Sequence, residues 1–190
     1  LQSLREGITH AFGDADIRTL LINLGSVSIF GFSLMTLMPA WATTVLGGDV
    51  RTNGLLLSAR GLGSLAGALM IAYLGSRVAR GKIWAVGNLV MPFALVILGV
   101  FKILPVSLVA LVVVGWSLMS VVNISNALIQ THIPDELRGR IMSVYILIFQ
   151  GGMTIGSLLA GWLAGEFGAP VAVLVSAFAL LLVSSLCIFF

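Results

Sequence analysis

Charge is what this sequence has least of. Asp, Glu, Lys and Arg make up 9% of its 190 residues, against roughly 25% in a soluble domain. Hydrophobic residues make up 59%, and the mean hydropathy is +1.13. That shortage excludes an ordinary water-soluble fold and leaves an all-α integral membrane protein whose first partner is the lipid bilayer. Cysteine is nearly absent too. The lone Cys187 excludes a disulfide within the chain and sits in an apolar run, where a buried thiol is expected. No acidic residue falls deep inside an apolar stretch, and His10 and His132 lie outside them. An intramembrane protease needs a Ser and a His on facing helices, or a pair of membrane aspartates, so no catalytic residue is expected. Metal-ligand clusters and nucleic-acid motifs are missing as well. The glycine-rich tracts lie within apolar helices and not after strands, so they are not phosphate-cradling loops, and no cofactor, metal or nucleic acid is expected.

What is present is six apolar stretches, each near the ~20 residues that a helix needs to cross hydrocarbon. They run from Ile17 to Leu46, Thr52 to Gly75, Ile83 to Phe101, Val106 to Ile129, Ile141 to Gly165 and Val171 to Phe190. The first is long enough to tilt, or to continue past Pro39 as an interfacial turn. Six spans put both termini on one side. Arg5, Arg18, Arg77, Arg80, Lys82, Arg138 and Arg140 all fall on that side, whereas the opposite loops hold only Arg51 and Lys102 as cations. The positive-inside rule therefore places both termini in the cytoplasm of a multi-pass cell (inner) membrane protein. Trp41 and Trp162 fall near the outer interface and Trp84 near the inner one, where amphipathic rings prefer to sit.

Residues 1–16 carry too many charges for a span or a signal peptide. Leu1, Leu4, Ile8, Ala11 and Phe12 recur at helical spacing, which predicts an amphipathic helix in the cytoplasmic interface, linking the bundle of residues 17–190 to something upstream. Asp16 is placed to cap the first span. The missing initiator Met and the ending inside an apolar run suggest a piece cut from a longer protein.

One pattern organises the rest. Gly63, Gly67, Leu69, Ala72, Tyr73 and Leu74 are followed 89 residues later by Gly152, Gly156, Leu158, Gly161, Trp162 and Leu163. Small residues at four-residue spacing let membrane helices approach closely, so these glycines are read as helix-packing positions. The second span runs inward and the fifth outward, so the two ladders end on opposite membrane faces. That predicts a 3+3 inverted repeat, in which spans one to three map onto spans four to six through an in-plane two-fold axis.

The cytoplasmic turns carry a resemblance. The stretch Leu74, Gly75, Ser76, Arg77, Val78, Ala79, Arg80, Gly81 and Lys82 resembles the loop that major facilitator superfamily transporters place between the second and third helices of each half. Ile133, Pro134, Asp135, Glu136, Leu137, Arg138, Gly139 and Arg140 resemble the turn into the fifth helix. The similarity spans the chain and is greatest to the C-terminal half of bacterial efflux members, the enterobactin exporter and transmembrane secretion effector group. Where the family's loop has an Asp before its first Arg, this chain has Ser76.

The resemblance implies half of a 12-helix fold that rocks against an N-terminal six-helix half of the same polypeptide or a second copy. It implies secondary active efflux of a small amphipathic molecule, driven by an ion gradient, with protons the expected ion. Gly75, Arg77, Arg80, Gly81 and Lys82 would then act with Asp135, Arg138, Gly139 and Arg140 as conformational-switch loops; the plainer alternative is that these cations only orient the protein. Because the first and fourth helices of each half line the family's cavity, Asn23, Trp116, Ser120 and Asn123 become substrate-contact candidates, joined by Gln150 on the fifth span. The alternative for each is a polar bridge between helices. Arg60, deep in the second span with no intramembrane carboxylate to pair with, reads as an anion-recognising or coupling residue, or as an arginine that snorkels outward. A channel-like or structural six-helix protein that dimerises stays open as the alternative function, since no proton-coupling carboxylate lies in the spans.

Overall fold

The computed structural model describes residues 13–74, 78–133 and 135–189. The expected linker helix lies almost wholly outside these residues, as do Gly75 and Arg77. Among the described residues the elements are helices throughout. Six are long and apolar enough to cross a membrane: Ala15–Val45, Val50–Leu74, Arg80–Val100, Leu104–His132, Leu137–Phe167 and Ala169–Ile188. With their backbone groups paired internally, such helices satisfy the rule that hydrocarbon imposes on any spanning segment. The molecule is thus a multi-pass membrane protein, with the six spans in the expected order.

Local chemistry sets the ends. Asp14, and not Asp16, caps the first helix: its Oδ1 accepts from the backbone N–H groups of Asp16 at 2.9 Å and Ile17 at 3.1 Å. Asp16 falls in the first turn, where its charge faces the helix dipole favourably but its side chain is one step late for capping. Asp49 plays the same part before the second helix, accepting from the Thr52 N–H at 3.0 Å and the Thr52 hydroxyl at 3.2 Å. Those bonds, the Thr52 N–H foremost, hold the Asp49 carboxyl below the usual carboxylate range. Pro105 starts the fourth helix, where its missing N–H costs nothing. Gly168, at φ +86°, is the one residue between the fifth and sixth helices. A side chain is strained in that left-handed conformation, so glycine permits the short turn.

The first helix does not stop at Pro39. It runs Ala15–Ser26, passes through a π-turn at Val27–Gly31, resumes at Leu34–Ala40 and widens again at Trp41–Val45. In the first π-turn the Phe32 N–H reaches five residues back to the Val27 carbonyl at 3.2 Å. Each such turn accommodates an extra residue and rotates everything after it relative to a plain α-helix. Trp41 and Trp84 depart from their expected setting as interfacial anchors. Trp41 is fully buried, and its Nε1 donates to Ser107 Oγ at 3.4 Å; Trp84 is nearly so and donates to Ser125 Oγ at 2.9 Å. An indole N–H needs an acceptor, and the fourth helix supplies both, so these rings turn inward. Trp162 is exposed.

The inverted repeat is visible contact by contact. The broadest interface sets the second helix against the fourth, and its counterpart sets the fifth against the first. A Cβ at Gly63 would overlap the Val112 carbonyl oxygen, and one at Gly67 would stand 2.9 Å from that of Trp116. In the other copy, a Cβ at Gly152 would stand 2.8 Å from Ser28 Oγ and 3.5 Å from the Gly25 oxygen, and one at Gly156 would overlap the Ile29 oxygen. The glycines repeat at 89 residues and their partners Gly25 and Ile29 precede Val112 and Trp116 by 87, so the same contact is built twice. Gly161 differs from the ladder reading: it lies on an exposed face where a Cβ would meet nothing within 4 Å.

Burial completes the architecture. In the first helix 61% of the apolar window is buried, whereas the second has 22% and the fifth 28%. Their uncovered faces match across the repeat: Leu57 with Ile146, Leu69 with Leu158, and Tyr73 with Trp162 are all exposed pairs 89 residues apart.

Candidate functional site

Arg60 is the eleventh residue of the second helix, about 15 Å along its axis at 1.5 Å per residue. Its backbone is fixed by the fourth helix. A Cβ at Gly115 would overlap the Arg60 carbonyl oxygen, so the two main chains touch only because residue 115 is glycine. One turn on, Ser64 Oγ donates to the Gly115 carbonyl at 3.3 Å. The side chain is half-buried, its Nε has no hydrogen-bond partner, and its guanidinium carbon lies 5.4 Å from the centre of the Phe32 ring. Placing an arginine at such depth costs roughly 2.5–3.5 kcal/mol on insertion scales. A ring face offsets part of that, about 0.5–2 kcal/mol.

Phe32 comes directly after the first π-turn, which aims it at both repeats. Its ring meets Phe149 edge to face at 5.1 Å, and Phe149 stacks on Tyr145 at 6.4 Å. Phe149 is the position equivalent to Arg60, 89 residues on. Its carbonyl accepts from the Ser28 hydroxyl, the counterpart of the Arg60 carbonyl against Gly115. One copy of the repeat thus contributes a guanidinium and the other an aromatic ring, and both converge on Phe32. Sequence reasoning passed over Phe32 and Phe149; the 89-residue relation to Arg60 was the signal that could have found Phe149. Gln150, next to Phe149, is exposed on the fifth helix.

The remaining candidates lie elsewhere. Asn23 and Ser120 are fully buried: Asn23 Nδ2 donates to Asn88 Oδ1 at 2.8 Å, while Asn23 Oδ1 and Ser120 Oγ have no partner. Trp116 and Asn123 face the wedge between the second, third and fourth helices. Trp116 Nε1 points at Met70 sulfur, 3.3 Å away, beside a cavity of about 180 Å3 that Lys82 also lines. Asn123 lines a cavity of about 270 Å3 with Arg80. Two cations of the turn expected to act as a switch, Arg80 and Lys82, and two substrate-contact candidates therefore share that wedge. Asp135 is engaged within its own turn, 2.6 Å from the Arg138 guanidinium, and both side chains are exposed.

The order of six helices, the doubled glycine contact and the Arg-rich turns now meet the comparison with known proteins. The sequence pattern of the transmembrane secretion effectors matches residues 1–190, the whole chain. The chain belongs to the transmembrane secretion effector family. This is a major facilitator-type family, in keeping with the resemblance of the turns. Among similar proteins, the multidrug efflux pump Tap of Mycolicibacterium fortuitum is 25% identical over 190 residues, covering 100% of this chain and 46% of that protein. The multidrug efflux pump Tap of Mycobacterium tuberculosis (strain ATCC 25618 / H37Rv) and that of Mycobacterium bovis (strain ATCC BAA-935 / AF2122/97) are each 29% identical over 169 residues, covering 88% of this chain and 40% of theirs. The chain thus spans less than half the length of these relatives.

Proposed function

We propose that this chain is one six-helix half of a secondary efflux transporter, exporting a small amphipathic molecule by alternating access and driven by an ion gradient, with protons as the coupling ion. One observation carries the reading. The packing between the two three-helix units is built twice in opposite orientation, and it leaves matched apolar faces on the second and fifth helices uncovered. Inverted repeats of this kind let a bundle rock as a body against a partner bundle around a site at the membrane midplane. The uncovered faces suit a second six-helix bundle, from the same polypeptide or another copy. The efflux pumps to which the chain is similar are about twice its length, which accords with one half. The excess of Arg and Lys on one side supports an inner-membrane setting with both termini in the cytoplasm.

Within this reading Trp116, Asn123, Arg60 and Gln150 present groups to cavities or open faces, whereas Asn23 and Ser120 shape the walls behind them. The test is reconstitution of the full-length protein that carries this chain. An imposed pH gradient is expected to drive movement of an amphipathic probe, N-phenyl-1-naphthylamine, without nucleotide, and a protonophore is expected to abolish it. Strict dependence on ATP, or equal movement with no gradient, would overturn the proposal.

A further inference from the structure

We infer that Arg60 receives the anionic group of the transported molecule and that the rings beside it receive an aromatic body, so that the transporter selects aromatic anions over neutral or cationic compounds of the same shape. The inference rests on the transport reading above and names its substrate class.

Four observations converge. Arg60 is held in place: its main chain abuts Gly115 with no room for a Cβ, and the Ser64 bond to the Gly115 carbonyl closes the next turn. Its charge has no counter-ion in this chain's membrane interior, because the acidic residues Asp14, Asp16, Asp49, Asp135, Glu136 and Glu166 stand at helix ends or in turns and Glu6 stands before the first span. Its Nε lacks a hydrogen-bond partner, and the Phe32 face at 5.4 Å softens the charge without using the N–H donors. Phe32 and Phe149, both partly exposed, meet at a ring separation of 5.1 Å and are backed by the buried Tyr145 at 6.4 Å, an aromatic wall that starts at the guanidinium. A guanidinium offers a planar fork of donors that matches a carboxylate, sulfonate or phosphate, and in a site poor in water such a charge-assisted pair is strong. Rings set edge to face or offset admit a further aromatic body in the same manner. An arginine serving only the fold would be expected to pair with a carboxylate of its own bundle, and among the described residues this one has none.

The test uses two probes of matched skeleton in the reconstituted full-length protein. 1-Anilinonaphthalene-8-sulfonate carries a sulfonate that N-phenyl-1-naphthylamine lacks. The expected result is that Arg60→Gln raises KM for the sulfonate about tenfold relative to its effect on the neutral probe, while Arg60→Lys keeps part of the preference. A variant that handles the sulfonate as the wild type does, or that weakens both probes equally, overturns the inference. Should Arg60→Gln not insert, the wild type alone decides. There the sulfonate must inhibit transport of the neutral probe at a concentration at least tenfold lower than a naphthyl trimethylammonium does, and a level or reversed order overturns the inference. A level order is also the result expected if a carboxylate of the covering bundle already neutralises Arg60. Gradient-driven movement of the neutral probe with no preference for the sulfonate sinks the anion site and leaves transport standing. Movement of neither probe sinks the transport reading, and the anion site with it.

Discussion

Gly63, Gly156 and Gly161 are one residue type on two equivalent helices, with unequal duties. A Cβ at Gly63 or Gly156 runs into a backbone carbonyl, whereas Gly161 faces open space. Backbone does not yield as a flexible side chain does, so Gly63→Ala and Gly156→Ala should each cost about 1–3 kcal/mol. Gly161→Ala meets nothing within this chain and gains up to ~1 kcal/mol of helix propensity, so any loss it shows would come from the bundle that covers this face. Thermal melting of the purified full-length protein checks the first two variants, which should melt several degrees below the wild type. At this scale the sequence was half legible. Four-residue spacing marks a face, and Gly67 and Gly156 obey it; Gly161 lies five residues past Gly156, about 140° further round the helix. Asn23, Trp41 and Trp84 show the same limit. Their depth could be counted from the spans, but the side each presents depends on partners more than 40 residues away.

The first helix shows what is hidden at the scale of an element. Its length and the presence of Pro39 were legible, as were the number and order of the six spans, because hydropathy over ~20 residues is a strong signal, whereas the cap expected at Asp16 is Asp14. The two π-turns were not. Val-Ser-Ile-Phe-Gly and Trp-Ala-Thr-Thr-Val contain no proline, and the one visible breaker, Pro39, lies between them. The first turn is widened where Ile29 approaches Gly156, so tertiary packing accompanies it and no local motif marks it. Its effect is to swing Phe32 to Arg60 and Phe149. Deleting Phe30 should convert the turn to plain α-helix and rotate the C-terminal part of the first helix by about 100°. The expected outcome is transport reduced at least tenfold with membrane-inserted protein within twofold of the wild type, measured by probe uptake and quantitative blotting of membranes.

At the scale of the whole molecule, the doubled packing was legible as a glycine repeat and a charge bias, and the family turns agreed with both. Which groups the cytoplasmic turns engage was not, because a local ion pair competes with any longer-range one. Asp135 is taken by Arg138 in its own turn, while Arg80 and Lys82 lie in the wedge beside the second and fourth helices. If the loops switch the bundle between states, removing Arg77 and Arg80 together should lower export at least tenfold while insertion stays within twofold. Normal export by a correctly inserted double variant would leave these residues as orientation signals only. The interleaving of the two units also sets an order for biogenesis. The first helix seals against the fifth and the second against the fourth, so neither three-helix unit has a full partner within itself. During synthesis Arg60 enters the membrane before Gly115 and Phe149 have been made. The packing of the first three helices is therefore completed only in steps as the chain lengthens: the second gains its partner with the fourth, the first with the fifth and the third with the fourth and sixth.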